Sequence, residues 1–142
     1  MTPFVDIKKL DPHLPTPSYQ TTGAAGMDLY AVENGWVAAG GSKVVSVGIS
    51  VAIPHGYKGV IAGRSGMGFR DEVVPFPGTI DSDYRGEIKV KLFNLGKFSY
   101  FFDRGARICQ LCILPAPQAL VKVVEEVSIS QRGENGFGST GK

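Results

Sequence analysis

Cysteine is scarce here, with two residues in 142, beside two histidines and a single tryptophan. One intrachain disulfide is the most such a chain could form, which excludes a secreted disulfide scaffold. Charge of one sign is missing too. Fifteen basic residues against 13 acidic ones leave a net charge of +2, too balanced for a surface built to bind nucleic acid or anionic lipid. No run reaches the ~18 apolar residues that span a bilayer, and Met1–Pro17 lacks the apolar stretch of a signal peptide. The expectation is a soluble intracellular protein, cytoplasmic or nuclear, with no nucleic-acid or membrane partner. Helical periodicity is also missing: only Gly66–Glu72 could form a short helix, with Ser65 as its N-cap.

What the chain has instead is turn residues. Its 19 glycines and 9 prolines make up about a fifth of it, against roughly 12% in ordinary proteins. They are spread as single punctuators, as in many short strands joined by turns. With 43% hydrophobic and 20% charged residues the composition is that of a folded domain. The prolines at positions 12, 15 and 17 keep Lys9–Tyr19 extended. In Lys43–Ile53, Val45, Val47, Ile49, Val51 and Ile53 alternate with small or polar residues, so one strand face is buried. Lys58–Ala62 follows the Pro54-His55-Gly56 turn as a second strand. Glu87–Asn94 alternates likewise, with Ile88, Val90 and Leu92 inward, and after the Asn94–Lys97 turn Phe98, Tyr100 and Phe102 share a face. Arg107–Leu114 is nearly all apolar, which predicts burial on both faces. A last core strand is expected near Leu120–Val127. The fold class is therefore all-β, a sandwich or jelly roll over residues 1–127 with one short helix and a flexible polar arm over 128–142.

Several segments are too polar or too glycine-rich for core or simple turns. In Gly63-Arg64-Ser65-Gly66 a hydroxyl, a guanidinium and free amides meet where a helix would begin, which suits phosphate; an N-capped turn is the plainer alternative. In Gly78–Gly86, Asp81 and Asp83 flank Ser82 beside Tyr84 and Arg85: either an Asp-rich hairpin turn, or a general base or metal ligand. In the tail Phe137 lies between Gly136 and Gly138, five residues after Arg132: either a disordered end, or a lid that stacks on a planar base while the arginine takes a phosphate. Gly136–Lys142 also matches G-x-x-x-x-G-K, but no Ser or Thr and no helix follows, so it is no P-loop. Cys109 and Cys112 have redox or zinc spacing, yet no second ligand pair exists. They read as small buried hydrophobes flanking Gln110, whose amide would need partners.

With Ala24–Leu29 and Arg104–Leu111, these segments closely resemble, in order and spacing over about Thr21–Gly141, the five motifs of the trimeric dUTPases (deoxyuridine triphosphate nucleotidohydrolases). The resemblance implies a distorted jelly-roll or β-clip barrel that forms a homotrimer, with each active site shared by three subunits. It implies hydrolysis of dUTP to dUMP and pyrophosphate with Mg2+, by attack of water on the α-phosphorus, which keeps uracil out of DNA and supplies dUMP for thymidylate synthesis. By the same resemblance Asp28 helps hold the metal, through waters. Arg64, Ser65 and Gly66 bind phosphate, and Gln110 contacts the α-phosphate side. Asp81 holds the attacking water and the sugar 3′-hydroxyl. Gly78, Thr79, Ile80 and Lys89 line the nucleoside site, and Tyr84 packs under the deoxyribose. Arg132 grips the γ-phosphate, Phe137 covers the uracil, and Gly138 and Ser139 accompany it.

Three positions depart from the family pattern. Pro75 replaces a common base-contacting Asn, so base reading would fall to the main chain. Gly68 stands where Ala is usual and should weaken the short helix by up to about 1 kcal/mol. Asn135 replaces a common glycine. Two other readings compete. A dCTP deaminase of the same fold, or a bifunctional deaminase and dUTPase, would need an acid/base such as Glu72 or Glu87 beside the base amine. A trimeric nucleotide-binding or docking module could do without Asp81 and the tail.

Overall fold

The computed structural model describes residues 1–141, so Lys142, the last residue of the P-loop-like match, lies outside them. Ten strands form in chain order: β1 (Asp6–Lys9), β2 (Met27–Tyr30), β3 (Gly35–Val37), β4 (Ser42–Ala52), β5 (Tyr57–Ala62), β6 (Val73–Pro75), β7 (Thr79–Ile80), β8 (Glu87–Asn94), β9 (Tyr100–Phe102) and β10 (Arg107–Pro115). All pairings are antiparallel. They give one sheet in the order β1-β4-β8-β6, a second in the order β2-β10-β5-β7, and a two-stranded ribbon of β3 and β9. A single core takes Val45, Val47, Val90 and Leu92 from the first sheet, Leu29, Ile61 and Leu111 from the second, and Val37 and Phe102 from the ribbon. This is the all-β jelly-roll architecture expected from the alternating segments.

The long strand β4 buries Val45, Val47, Ile49 and Val51, and Ile53 just beyond its end is buried too. Its register against β8 shifts between Ser46 and Ser50, where Gly48 takes a φ of +65°. A Cβ there would lie 2.9 Å from Val32 and 3.1 Å from Asp11, so this bulge needs glycine. Its carbonyl accepts hydrogen bonds from the amides of Leu10 and Asp11 and holds the proline-rich entry segment on the sheet. Asp11 is held from its other side by the Arg104 guanidinium, which also donates to the Val32 carbonyl.

Asn94 ends β8 and is 1% exposed. Its amide donates to the carbonyls of Val37 (2.9 Å) and Phe98 (2.7 Å), and its side-chain oxygen accepts from the Gly96 amide (2.9 Å). One polar side chain thus ties β3, β8 and the following turn together.

Several expectations need correction. The helix is a single wide turn over Met67–Asp71 with Gly66 in the capping position, and no side chain caps it, so Ser65 is not its N-cap. Gly68 leaves room for a methyl, its nearest neighbour being Val74 at 3.9 Å. Phe98 is 86% exposed and shares no face with Tyr100 and Phe102. The far half of β10 is only partly covered, with Leu114 43% exposed. No strand forms near Leu120–Val127: β10 is the last strand, and Leu120, Val121, Val123 and Val127 are exposed. The pattern is strand-like, but no strand among the described residues pairs with it. The Asp81–Gly86 turn is no hairpin either, because β7 pairs with β5 while β8 pairs with β4 and β6; it crosses between sheets. No helix among the described residues is long and apolar enough to cross a membrane.

Two outcomes follow from these contacts. Asn94→Ala strands two carbonyls and an amide, so a urea titration should show a loss of about 2–4 kcal/mol with an unchanged slope, while Lys97→Ala on the same turn should stay within about 0.5 kcal/mol. The hydrogen bonds from Arg104 lower the Asp11 carboxyl from 3.8 to about 2. Its stabilising contribution is therefore complete above about pH 4 and is lost as pH falls toward 2. Asp11→Asn should remove that part of the acid sensitivity, read by comparing acid titrations at low and high salt.

Candidate active site

The residues singled out in the sequence fall into three groups on one chain. The first gathers around Asp28. In the β2–β10 register Gln110 lies directly opposite Asp28, and its amide reaches the Asp28 carboxylate at 3.4 Å. Arg64 follows the end of β5, and its Nε lies 3.4 Å from Asp28 Oδ1. Arg107 Nη1 lies 3.4 Å from Oδ2, and Arg64 also donates to the Arg107 carbonyl (3.2 Å). Ser65 and Gly66 sit exposed at the start of the helical turn. Charge-assisted hydrogen bonds normally run to about 2.7–2.9 Å. These contacts are looser, so both guanidiniums can turn toward a polyanion without breaking a tight pair.

Arg107 carries no role in the sequence reading. Strand alternation alone would not aim it at Asp28; the β2–β10 register shifts between Arg107 and Cys109, and that irregularity re-aims the side chain. Spacing cannot reveal such a bulge. Cys109 is fully buried, and burial pushes its thiol up to about 12, so it stays protonated and inert. Cys112 is a free thiol as well.

The second group lines a cleft of about 410 Å³ formed by Ile61, Gly78, Thr79, Ile80, Asp81, Tyr84, Glu87, Ile88 and Lys89. Strand β7 is the edge of its sheet. One side of it pairs with Gly59 and Val60 of β5, and no strand among the described residues pairs with the other. A free row of main-chain donors and acceptors therefore borders a cleft with an apolar floor, the usual makings of a planar-ligand site. Asp81 is exposed at the strand's end, and its carbonyl accepts from the Tyr84 amide (3.1 Å).

The third group is the tail. Phe137 is 115% exposed at a φ of +51°. Arg132 Nε donates to the Asn135 carbonyl (2.7 Å). Gly138 and Ser139 form a local turn, the Ser139 amide donating to Gly136 (3.0 Å).

One chain does not bring these groups together. Gln110 lies opposite Ala62, while Ile80 lies opposite Gly59 and so Asp81 comes level with Lys58. Four residues along β5 span about 13 Å, and the two strands are separated by two spacings of about 4.8 Å. Nor do the residues make a metal cage. Among the described residues no three His, Cys, Asp or Glu side chains converge. Asp28, which the resemblance implies for the metal, is a single buried carboxylate facing guanidiniums on both oxygens. Magnesium demands a near-octahedral shell of oxygens, and this donor set does not supply one.

Comparison with known proteins agrees with the motif order. The dUTPase family model matches residues 13–141. The deoxyuridine 5'-triphosphate nucleotidohydrolase of Nautilia profundicola is 45% identical over 138 residues, covering 96% of this chain and 97% of that protein. That of an Anaeromyxobacter species is 47% identical over 133 residues, covering 92% and 90%. Among solved structures, the dUTPase of Staphylococcus bacteriophage 80alpha with dUpNHpp superposes with a TM-score of 0.92 at 28% identity, covering 98% of this chain and 99% of that one. A dUTPase of phage phi11 of S. aureus, described with a structural Mg(II) ion, shares the fold at a TM-score of 0.82 and 22% identity. By its matched length, its relatives and its fold, this chain belongs to the dUTPase family.

Proposed function

We propose that the protein hydrolyses dUTP to dUMP and pyrophosphate, at sites each assembled from three copies of the chain. The observation that carries this reading is the cleft on the free edge of β7, where main-chain polar groups, Asp81 and Tyr84 face one space. In this reading one copy lends Asp28, Arg64, Ser65, Gly66 and Gln110, a second lends the Gly78–Lys89 cleft, and a third lends the arm that carries Arg132, Phe137, Gly138 and Ser139. Shared assembly fits the exposed run in which Val121, Val123, Val127 and Ile129 alternate without a partner strand among the described residues, because such an unpaired apolar segment is a surface for another copy.

Each role follows from chemistry. A triphosphate carries about four negative charges, and attack of water at the α-phosphorus spreads charge over its oxygens. Arg64, Arg107 and Arg132 neutralise it, and Gln110 and the Ser65 hydroxyl hydrogen-bond it, in a site that closure dries. A bound magnesium ion would add positive charge beside the triphosphate, with Asp28 the one carboxylate of this group able to face it through waters, since the chain builds no cage for it among the described residues. Asp81 takes the proton of the attacking water, a role worth typically 10²–10⁴-fold. The free edge of β7 pairs with the base. Cytosine would reverse the donor and acceptor pattern, at about 1–3 kcal/mol for each group left unpaired. Lys89 adds positive charge at the cleft rim, and Phe137 stacks over the base. The deaminase reading gains nothing from the structure: the Glu87 carboxylate accepts the Ser46 hydroxyl, and Glu72 ends the helical turn in a left-handed conformation.

A panel of dUTP, dTTP, dCTP and UTP tests the reading. Pyrophosphate from dUTP alone is expected, whereas ammonia from dCTP or equal turnover of all four would overturn it. Asp81→Asn should keep nucleotide binding while pyrophosphate release falls by about 10²–10⁴-fold; undiminished turnover would remove Asp81 from the chemistry. Deleting residues 132–142 should leave a folded oligomer with little activity, checked by light scattering beside the assay. Dissociation of the oligomer would make the arm a structural element instead.

A further inference from the structure

The turn after Asp81 holds a feature that neither the motif spacing nor the hydrolytic reading assigns. Tyr84 lines the nucleoside cleft and is 46% exposed. Its hydroxyl is not free: it donates to the Glu87 carbonyl at 2.9 Å. Glu87 begins β8 and is anchored in turn from β4, where the Ser46 hydroxyl donates to its carboxylate. Between Tyr84 and Glu87 lies Gly86. A Cβ at Gly86 would run into the Tyr84 hydroxyl and would stand 2.6 Å from Cζ and 3.0 Å from Cε2 of the ring. The phenol therefore rests directly on the Gly86 backbone, where only a residue without a side chain leaves room. Gly86 does not need its backbone freedom, since its φ lies outside the left-handed range. What it contributes is empty space.

We propose that Gly86 is a positioning residue for substrate selection: it forms the seat on which the phenol end of Tyr84 rests, with the Tyr84–Glu87 hydrogen bond as the pin, so that the ring is set at one depth in the cleft. Tyr84 borders the cleft and Gly86 does not, so the ring stands between the two. A methyl at Gly86 pushes the phenol into the space where the sugar would lie and breaks the pin. Loss of the pin alone, with the seat intact, lets the ring swing away and admits a bulkier sugar. The ring is thus a depth gauge for the ribose 2′ position, fixed by a main-chain seat and a main-chain acceptor. A phenol at the free end of a side chain moves cheaply, so the fold should tolerate the change.

The inference rests on the dUTPase reading, and pyrophosphate release from dUTP by the wild-type chain tests that reading before any variant is made. Gly86→Ala should raise the KM for dUTP, and the Kd for dUpNHpp, by about tenfold or more, with a smaller change in kcat and an unchanged melting temperature. Tyr84→Phe, which removes the pin but keeps the ring, should lower the preference for dUTP over UTP. The decisive arm is the double variant. Tyr84→Leu removes the three atoms that would meet the new methyl and keeps an apolar wall. On that background Gly86→Ala should change dUpNHpp binding by less than about twofold, because its effect runs through the ring. Equal losses on both backgrounds, an equal fall in melting temperature on both, or no loss on the wild-type background would overturn the proposal.

Discussion

Strand register is the constraint on which everything else depends. Because Gln110 pairs opposite Ala62 and Ile80 opposite Gly59, the phosphate-facing group and the cleft with Asp81 are fixed at opposite ends of a rigid, hydrogen-bonded sheet. A sheet cannot fold those ends together, since closing the gap would break the ladder that makes it. The geometry thus calls for more than one chain at the proposed site. In the proposed assembly the exposed, strand-like residues between Leu120 and Ile129 would be the means of bringing chains together.

The two groups on the body differ in the chemistry of their preorganisation. Around Asp28 a buried carboxylate holds two arginines and a glutamine loosely, so the cations are gathered before a polyanion arrives and remain free to turn to it. This lessens the repulsion between Arg64 and Arg107, and in the proposed site it would let their charge act on phosphate without a large rearrangement. At the β7 edge the groups open to a ligand are main-chain atoms, on a strand held by pairing with β5. In the proposed site such an edge strand offers donors and acceptors whatever its side chains are, so base reading there does not need a side-chain amide at Pro75.

Much of the body was legible from residue order. Segments such as β4 and β8 are long enough for period-2 alternation to show, and each buries one face, so Val45, Val47, Val90 and Leu92 announce themselves. At two or three residues, β3, β6 and β7 are too short to carry a period. The crossover at Asp81–Gly86 looks like a hairpin turn because the turn residues are the same; only pairing partners distinguish the two. Leu120–Val127 has the right pattern for a strand, but alternation says nothing of which chain provides the neighbour. At the site, Asp28, Arg64 and Gln110 were found by motif, whereas Arg107 was not, because a local register shift aims it. Ser65 looked like a cap, yet Gly66 takes the capping position and no side chain caps the helical turn, leaving the Ser65 hydroxyl available.

If each catalytic site draws on different copies of the chain, subunits with complementary defects restore one another when mixed. Asp81→Asn subunits and subunits lacking residues 132–142 would be refolded together and assayed for pyrophosphate release from dUTP. If the cleft and the arm at one site come from different chains, mixed oligomers contain sites with both parts intact, and the mixture regains activity that neither preparation has alone. A mixture no more active than its components would mean that one chain supplies both parts, and would contradict the account.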